Sequence, residues 1–169
     1  LAEEAPRRFG EEPVADLRVR ASRLVGVDVE PELFPRLLDD VPILAVAAAA
    51  AEGTTTFRGV GELRVKESDR VESIAAMVRA FGGRVETTGD TLAVRGGARL
   101  SAGRVDARDD HRIAMAAAIL AATAPGASLV AGVDVTAQSY PGFAAAMRGL
   151  GLDVEEVNDD GADLAPSDR

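Results

Sequence analysis

The chain has no cysteine and no tryptophan, 4% aromatic residues, a single histidine and a single lysine. Without cysteine there is no thiolate nucleophile, no cysteine-held metal and no disulfide, a usage that fits a cytoplasmic protein. With so few aromatics the core must come from Ala, Val, Leu and Ile, which the 47% hydrophobic content supplies. Long apolar runs are also missing. The longest, residues 41–51, is alanine-rich, lies between Asp40 and Glu52, and is too short to cross a membrane. A net charge of −9 weighs against general binding to nucleic acid or to anionic membrane, yet leaves room for a local basic pocket. The length of 169 residues suits one domain or a piece of a two-domain protein. Because the first residue is Leu1 rather than Met, the expectation is a chain that starts inside a longer protein.

The lone lysine stands in a chain of otherwise arginine cations, in Arg64-Val65-Lys66-Glu67-Ser68-Asp69-Arg70. A lysine retained in such a background points to a compact charge able to exchange a proton, which arginine is not. Lys66 adjoins Glu67 and lies four residues before Arg70, so an acid and two cations meet within one turn.

The sequence also repeats itself. Asp39-Asp40-Val41-Pro42-Ile43 and Ala47-Ala48 return as Asp109-Asp110-His111-Arg112-Ile113 and Ala117-Ala118. Leu17-Arg18-Val19-Arg20 returns as Leu92-Ala93-Val94-Arg95, Gly59-Val60 as Gly132-Val133, and Ala75-Ala76-Met77 as Ala145-Ala146-Met147. Matches in the same order at offsets of about seventy residues exceed the period of common solenoids and imply a duplicated α/β unit. The copies span about 17–86 and 92–155 within a domain of 13–155, with 1–12 a loose leading segment and 156–169 a flexible tail.

Each copy reads as short strands (17–21 and 24–29; 92–95 and around Val105), paired aspartates at a helix start, and an alanine-rich helix. Pro42 lies in the opening turn of the first such helix and Gly53 beyond its end; Pro125-Gly126 stops the second. A strand follows (54–57; 128–130), then a loop and another helix. In the first copy that helix is capped by Ser68 or Asp69, with Asp69 and Glu72 at capping-box spacing and Val71, Ile74, Ala75, Val78 and Phe81 as its apolar stripe. A hairpin over 85–94 turns at Gly89-Asp90.

Three loops thus hold unusual polar residues at equivalent places: Asp39-Asp40, residues 66–70, and Asp110-His111-Arg112. Arg70 and Arg112 at helix N-termini oppose the helix dipole, at a cost of a few tenths to about 1 kcal/mol. A bound anion would reverse that, since backbone donors and guanidinium would converge on it. The residues alone leave a second reading open, in which Asp40 is a cap, His111 is a first-turn residue satisfied by backbone, and Lys66, Glu67 and Arg70 form a surface ion-pair network.

The segments 63–70, 110–115 and 136–141 closely resemble the C-terminal half of the 5-enolpyruvylshikimate-3-phosphate synthase family, and the resemblance runs from about Glu11 to Val154. These segments separate it from the related UDP-N-acetylglucosamine enolpyruvyl transferases. The resemblance implies an α+β (mixed α/β) fold of repeated βαβαββ units packed as an α/β prism, enolpyruvyl transferase-like, two units of which agree with the duplication. It implies transfer of the enolpyruvyl group of phosphoenolpyruvate to the 5-hydroxyl of shikimate 3-phosphate, without metal or organic cofactor, in the cytoplasmic route to aromatic amino acids. Glu67 would then carry protons, Asp39 would bind and activate the shikimate hydroxyl, and Lys66 would stabilise charge and relay protons. Arg70 and Arg112 would hold phosphoenolpyruvate, with His111 beside them.

Two positions depart from the pattern. Gln138 stands where many members place a phosphoenolpyruvate-contacting lysine, so a neutral amide replaces a cation there. Glu62 stands at a phosphate-binding asparagine position and is left out of the site. The family's N-terminal domain is absent, so the chain is expected to carry one wall of a site that forms when two domains close, and to be inactive alone. The complete enzyme is expected to be a monomer, with no nucleic-acid or membrane partner. Competing readings are a non-catalytic anion- or protein-binding module, and an RNA-end-processing enzyme on a related fold. The joint presence of Asp39, Lys66, Glu67, Arg70 and Arg112 weighs against the first, and the acidic balance against the second.

Overall fold

The computed structural model describes residues 2–157. A β-hairpin comes first, β1 (Ala2–Phe9) antiparallel to β2 (Glu12–Arg18), with a bulge between Glu4 and Arg7. Residues 2–12, expected to be loose, are therefore in or beside strands. Their side chains are exposed along the whole hairpin apart from Ala15, which is why no burial pattern announced them. The strand expected over 17–21 ends at Arg18, and the one over 24–29 shrinks to β3 (Asp28–Val29) plus a bridge from Val25 to Glu52.

A one-turn helix, α1 (Phe34–Leu37), leads into α2 (Val41–Ala50), β4 (Thr54–Arg58), a 3-10 turn (Val60–Val65) and α3 (Arg70–Ala80). The hairpin of β5 (Arg84–Thr88) and β6 (Thr91–Arg95), with its turn at Gly89-Asp90, carries the chain from the first copy into the second. The second copy continues with β7 (Arg104–Asp106), α4 (His111–Thr123), β8 (Leu129–Ala131), a 3-10 turn (Val133–Gln138) and α5 (Phe143–Gly149). The 3-10 turns follow Gly59 at φ 79° and Gly132 at φ 70°. A side chain would disfavour that left-handed backbone, so glycine recurs at the same step of both copies.

The first copy, with β6 from the start of the second, forms one sheet in the order β3-β4-β6-β5, with β3 parallel to β4 and the rest antiparallel. The rest of the second copy contributes a parallel pair, β7-β8. Helices α2, α3 and α4 pack on one another, and α2 and α3 lie on the first sheet. Val41, Ala45 and Ala49 of α2, Ile74, Met77 and Val78 of α3, and Ile113, Ala117 and Leu120 of α4 are buried between them. Small alanines let the helices approach closely, and each larger buried apolar side chain stabilises the fold by about 1.5–3 kcal/mol. That packing brings three helix N-termini together.

The termini are finished differently. Asp69 caps α3 by accepting from the Glu72 N–H at 3.1 Å, and Asp110 caps α4 by accepting from the N–H groups of Arg112 and Ile113 at 3.0 and 3.4 Å. Asp40 occupies the cap position of α2 but its side chain makes no capping bond. Its backbone already has helical angles, φ −94° and ψ −11°, whereas capping side chains reach back from an extended residue. Of the expected tail, residues 158–169 lie outside the described part.

Candidate functional site

Arg70, the first residue of α3, is completely buried. A guanidinium there faces both the helix dipole and the loss of water, so it persists only with partners. Three carboxylates from three loops provide them. Nε donates to Asp110 Oδ2 at 2.7 Å, Nη1 to Asp39 Oδ1 at 3.0 Å, and Nη2 to Glu67 Oε2 at 2.5 Å. Burial by itself would ease proton loss from Arg70, but the Asp110 hydrogen bond and charge, with Glu67 and Asp39, outweigh it and hold the group above its ordinary pKa. The same contest runs at Asp110. Burial pushes its carboxyl up, while the bond and charge of Arg70, the Arg112 N–H and the Ser68 hydroxyl bring it below the usual carboxylate range.

Ser68 donates its hydroxyl to Asp110 Oδ2 at 3.1 Å, and Ser73 donates to Ser68 at 3.2 Å. Asp110 thus stitches the head of α4 to the loop before α3. Asp39 extends the network outward. Its second oxygen accepts from Arg112 Nη2 at 2.9 Å, and its carbonyl accepts from Arg112 Nη1 at 3.3 Å. One carboxylate therefore bridges a buried arginine and a partly exposed one.

The structure brings Asp39, Glu67, Arg70 and Arg112 into a single hydrogen-bonded network. Lys66 flanks it. Its ammonium lies 3.5 Å from Glu62, the acid that sequence reasoning set aside, and its side chain keeps about a quarter of its exposure. His111 opens α4, half-buried, and its ring makes no hydrogen bond among the described residues. Gln138 ends the second 3-10 turn, exposed and hydrogen-bonded to none of the cluster. Asp110 and Ser68 were missed as site residues, although both lie within the motifs. Asp110 looked like an ordinary cap, and nothing short of tertiary packing marks a cap as the buried partner of a distant arginine.

An open groove of about 240 Å³ is lined by charged side chains, Asp39, Asp40 and Arg112, and by apolar ones from α2, α4 and α5, among them Pro42, Ile43, Met115 and Phe143. Among the described residues no group of three or more His, Asp or Glu is arranged to hold a metal ion; the acids around Arg70 are engaged by the guanidinium. Chemically, the cluster presents two solvent-reachable carboxylates, Asp39 and Glu67, each with one oxygen held on a fixed cation. Arg112 is the partly exposed cation of the set, and Lys66 is a second one nearby.

A family model described as EPSP synthase (3-phosphoshikimate 1-carboxyvinyltransferase) matches residues 2–147. The 3-phosphoshikimate 1-carboxyvinyltransferase of Desulforudis audaxviator is 45% identical over 148 residues, 88% of this chain and 34% of that protein. The protein of the same name from Cereibacter sphaeroides is 49% identical over 155 residues, 91% of this chain and 35% of that one. Among solved structures, EPSP synthase from Acinetobacter baumannii aligns with a TM-score of 0.83 at 31% identity, over 88% of this chain and 35% of that one. The enolpyruvyl transferase NikO from Streptomyces tendae aligns with a TM-score of 0.61 at 25% identity, over 88% and 33%. The chain spans about a third of the length of the curated relatives it matches.

Proposed function

The chain belongs to the EPSP synthase (3-phosphoshikimate 1-carboxyvinyltransferase) family, and from that membership we propose that it carries one wall of the site that transfers the enolpyruvyl group of phosphoenolpyruvate to the 5-hydroxyl of shikimate 3-phosphate. The observation that carries this reading is the bridging of Asp39 and Glu67 through the buried Arg70 guanidinium. The reaction needs a proton removed from the attacking hydroxyl and one delivered to the methylene carbon, giving a tetrahedral adduct. That adduct then loses a methyl proton and phosphate to give the enol ether. Two acids held a fixed distance apart suit those transfers, and cations beside them suit the carboxylate and phosphate.

In this reading Asp39 takes the hydroxyl proton, while Glu67 gives a proton to the methylene and later removes one. Lys66 relays protons and offsets charge as phosphate departs. Arg112 turns from Asp39 to phosphoenolpyruvate, with His111 beside it, and Gln138 hydrogen-bonds the same ligand without neutralising it. Each of the three guanidinium nitrogens of Arg70 donates to a carboxylate and the side chain is completely buried, so substrate oxygens reach it by displacing Asp39 or Glu67, which frees those acids as the substrates arrive. The remaining segment of the complete protein supplies the opposite wall; that complete enzyme works in the cytoplasm, as a monomer, in aromatic amino acid biosynthesis.

The burial of Arg70 among three carboxylates also favours a second reading, a non-catalytic module whose cluster is structural. One assay separates the two. The chain is joined to the two thirds that relatives carry outside the match, and phosphate release from phosphoenolpyruvate is followed with shikimate 3-phosphate present. Release dependent on both substrates supports the transferase, and none supports the module. The chain alone should show no measurable turnover; turnover near that of a full-length relative would contradict the one-wall reading.

A further inference from the structure

Glu67 and Ser68 lie between the first 3-10 turn and α3, outside any helix or strand. Among the described residues neither makes a backbone–backbone hydrogen bond. Side chains therefore hold the segment that carries the proposed proton-transfer acid. Three ties are present. Arg64 Nη1 donates to Asp69 Oδ2 at 3.0 Å across the base of the loop, with both side chains more than a third exposed. Such a pair is weak in water. Glu67 is held on Arg70, and that is the bond substrates displace in the transferase reading. The third tie is the Ser68 hydroxyl on Asp110 Oδ2 at 3.1 Å. Asp110 and Ser73, on either side of that hydroxyl, are both buried.

The direction of that tie follows from its acceptor. Asp110 also takes Arg70 Nε on the same oxygen at 2.7 Å, and an ionised carboxylate only accepts. Ser68 must then donate its one hydroxyl proton to Asp110. Its lone pairs are left to accept from Ser73, the fourth residue of α3, at 3.2 Å. The line Ser73–Ser68–Asp110 thus pins the residue next to Glu67 against both α3 and the head of α4.

We propose that Ser68 is a positioning residue for Glu67: tied to Asp110, it keeps the Glu67 carboxylate aimed at the reacting methylene after substrates have drawn it off Arg70. This role rests on the transferase reading above. Ser68 acts through its neighbour and not on substrate. A misplacement of about 1 Å can cost about 10²-fold in rate, so the tie bears on turnover more than on binding.

The test uses the complete enzyme, with steady-state phosphate release and unfolding midpoints measured side by side. Ser68→Ala should fold and lower kcat by about 10–10²-fold, while KM for each substrate changes less than about threefold. Ser68→Thr, which keeps the hydroxyl, should recover most of the loss. In a Glu67→Gln background Ser68→Ala should add almost nothing, because it acts through that acid. If Ser68→Ala does not fold, Ser73→Ala removes the hydroxyl behind it and reads the same kcat loss on a smaller scale. A folded Ser68→Ala with kcat within about twofold of the unaltered enzyme overturns the role. So does a Thr variant as slow as the Ala one, a full further loss in the Glu67→Gln background, or, where Ser73→Ala stands in, no loss at all. Each of these leaves the transferase reading in place provided Glu67→Gln alone lowers kcat; an unaffected Glu67→Gln enzyme removes both.

Discussion

The loop after Gly59 carries Lys66, Glu67 and Arg70 into α3, an eleven-residue helix with seven buried side chains. The equivalent loop after Gly132 carries Asp134 and Gln138 into α5, which has seven residues and buries only Met147. The paired aspartates divide the same way. In the first copy the outer one, Asp39, reaches two arginines while Asp40 makes no capping bond. In the second the inner one, Asp110, is buried as both cap and ion-pair partner, while Asp109 has φ +58°. One backbone plan therefore supplies an acid facing solvent from one copy and an anchor facing inward from the other. The candidate cluster lies where the two uses meet, at Arg70.

The sharpest way to break that contrast is to remove each aspartate. Asp110→Ala leaves the Arg70 guanidinium buried without its one fully buried partner and should cost about 3–5 kcal/mol in urea or thermal unfolding. Asp40→Ala should stay within about 0.5 kcal/mol, as for other surface changes. Equal costs would mean that the copies do not differ as described. Apolar anchoring should follow the same asymmetry on a smaller scale. Ile74→Ala, in the well-buried α3, should cost about 2–5 kcal/mol, and Ala145→Gly, in the exposed α5, about 1 kcal/mol.

Acid should act through the second copy's anchor. Because Asp110 titrates below its ordinary value in the folded chain, its contribution is present above the unfolded carboxyl pKa, about 3.9. It is lost as pH falls through the lower folded value. Asp110→Asn should flatten the stability loss in that acid window, and an unchanged acid limb would contradict the assignment. A smaller effect concerns a cap. Asp69→Ala should lower stability by about 1 kcal/mol, visible as a modest shift of the unfolding midpoint.

What could be read from the chain depended on periodicity. Helix α3 and the β5-β6 hairpin follow from an apolar stripe closed by Gly82-Gly83 and from a Gly89-Asp90 turn, all local signals. The leading hairpin escaped because its charged, exposed residues give no buried face to alternate against. The strand at 24–29 was overread, since Leu24, Val25 and Val27 look like a core strand yet stand exposed. At the site, Asp39, Glu67, Arg70 and Arg112 were legible because helix N-termini and unusual charges coincide there. Asp110 was half legible, as a cap, because burial against a residue forty positions away is a tertiary fact. Lys66 was marked by composition, but its nearest acid, Glu62, was dismissed on chemistry that considered only phosphate.

The central claim is that the acid held on Arg70 by the first copy moves the proton of the reaction. Glu67→Gln in the complete enzyme tests it most directly, because the amide keeps the shape and a hydrogen bond to Arg70 but cannot take up the proton. Steady-state phosphate release should show kcat reduced by about 10²–10⁴-fold, with KM for both substrates changed far less. A kcat within about twofold of the unaltered enzyme, less than 0.5 kcal/mol in barrier, would contradict the account.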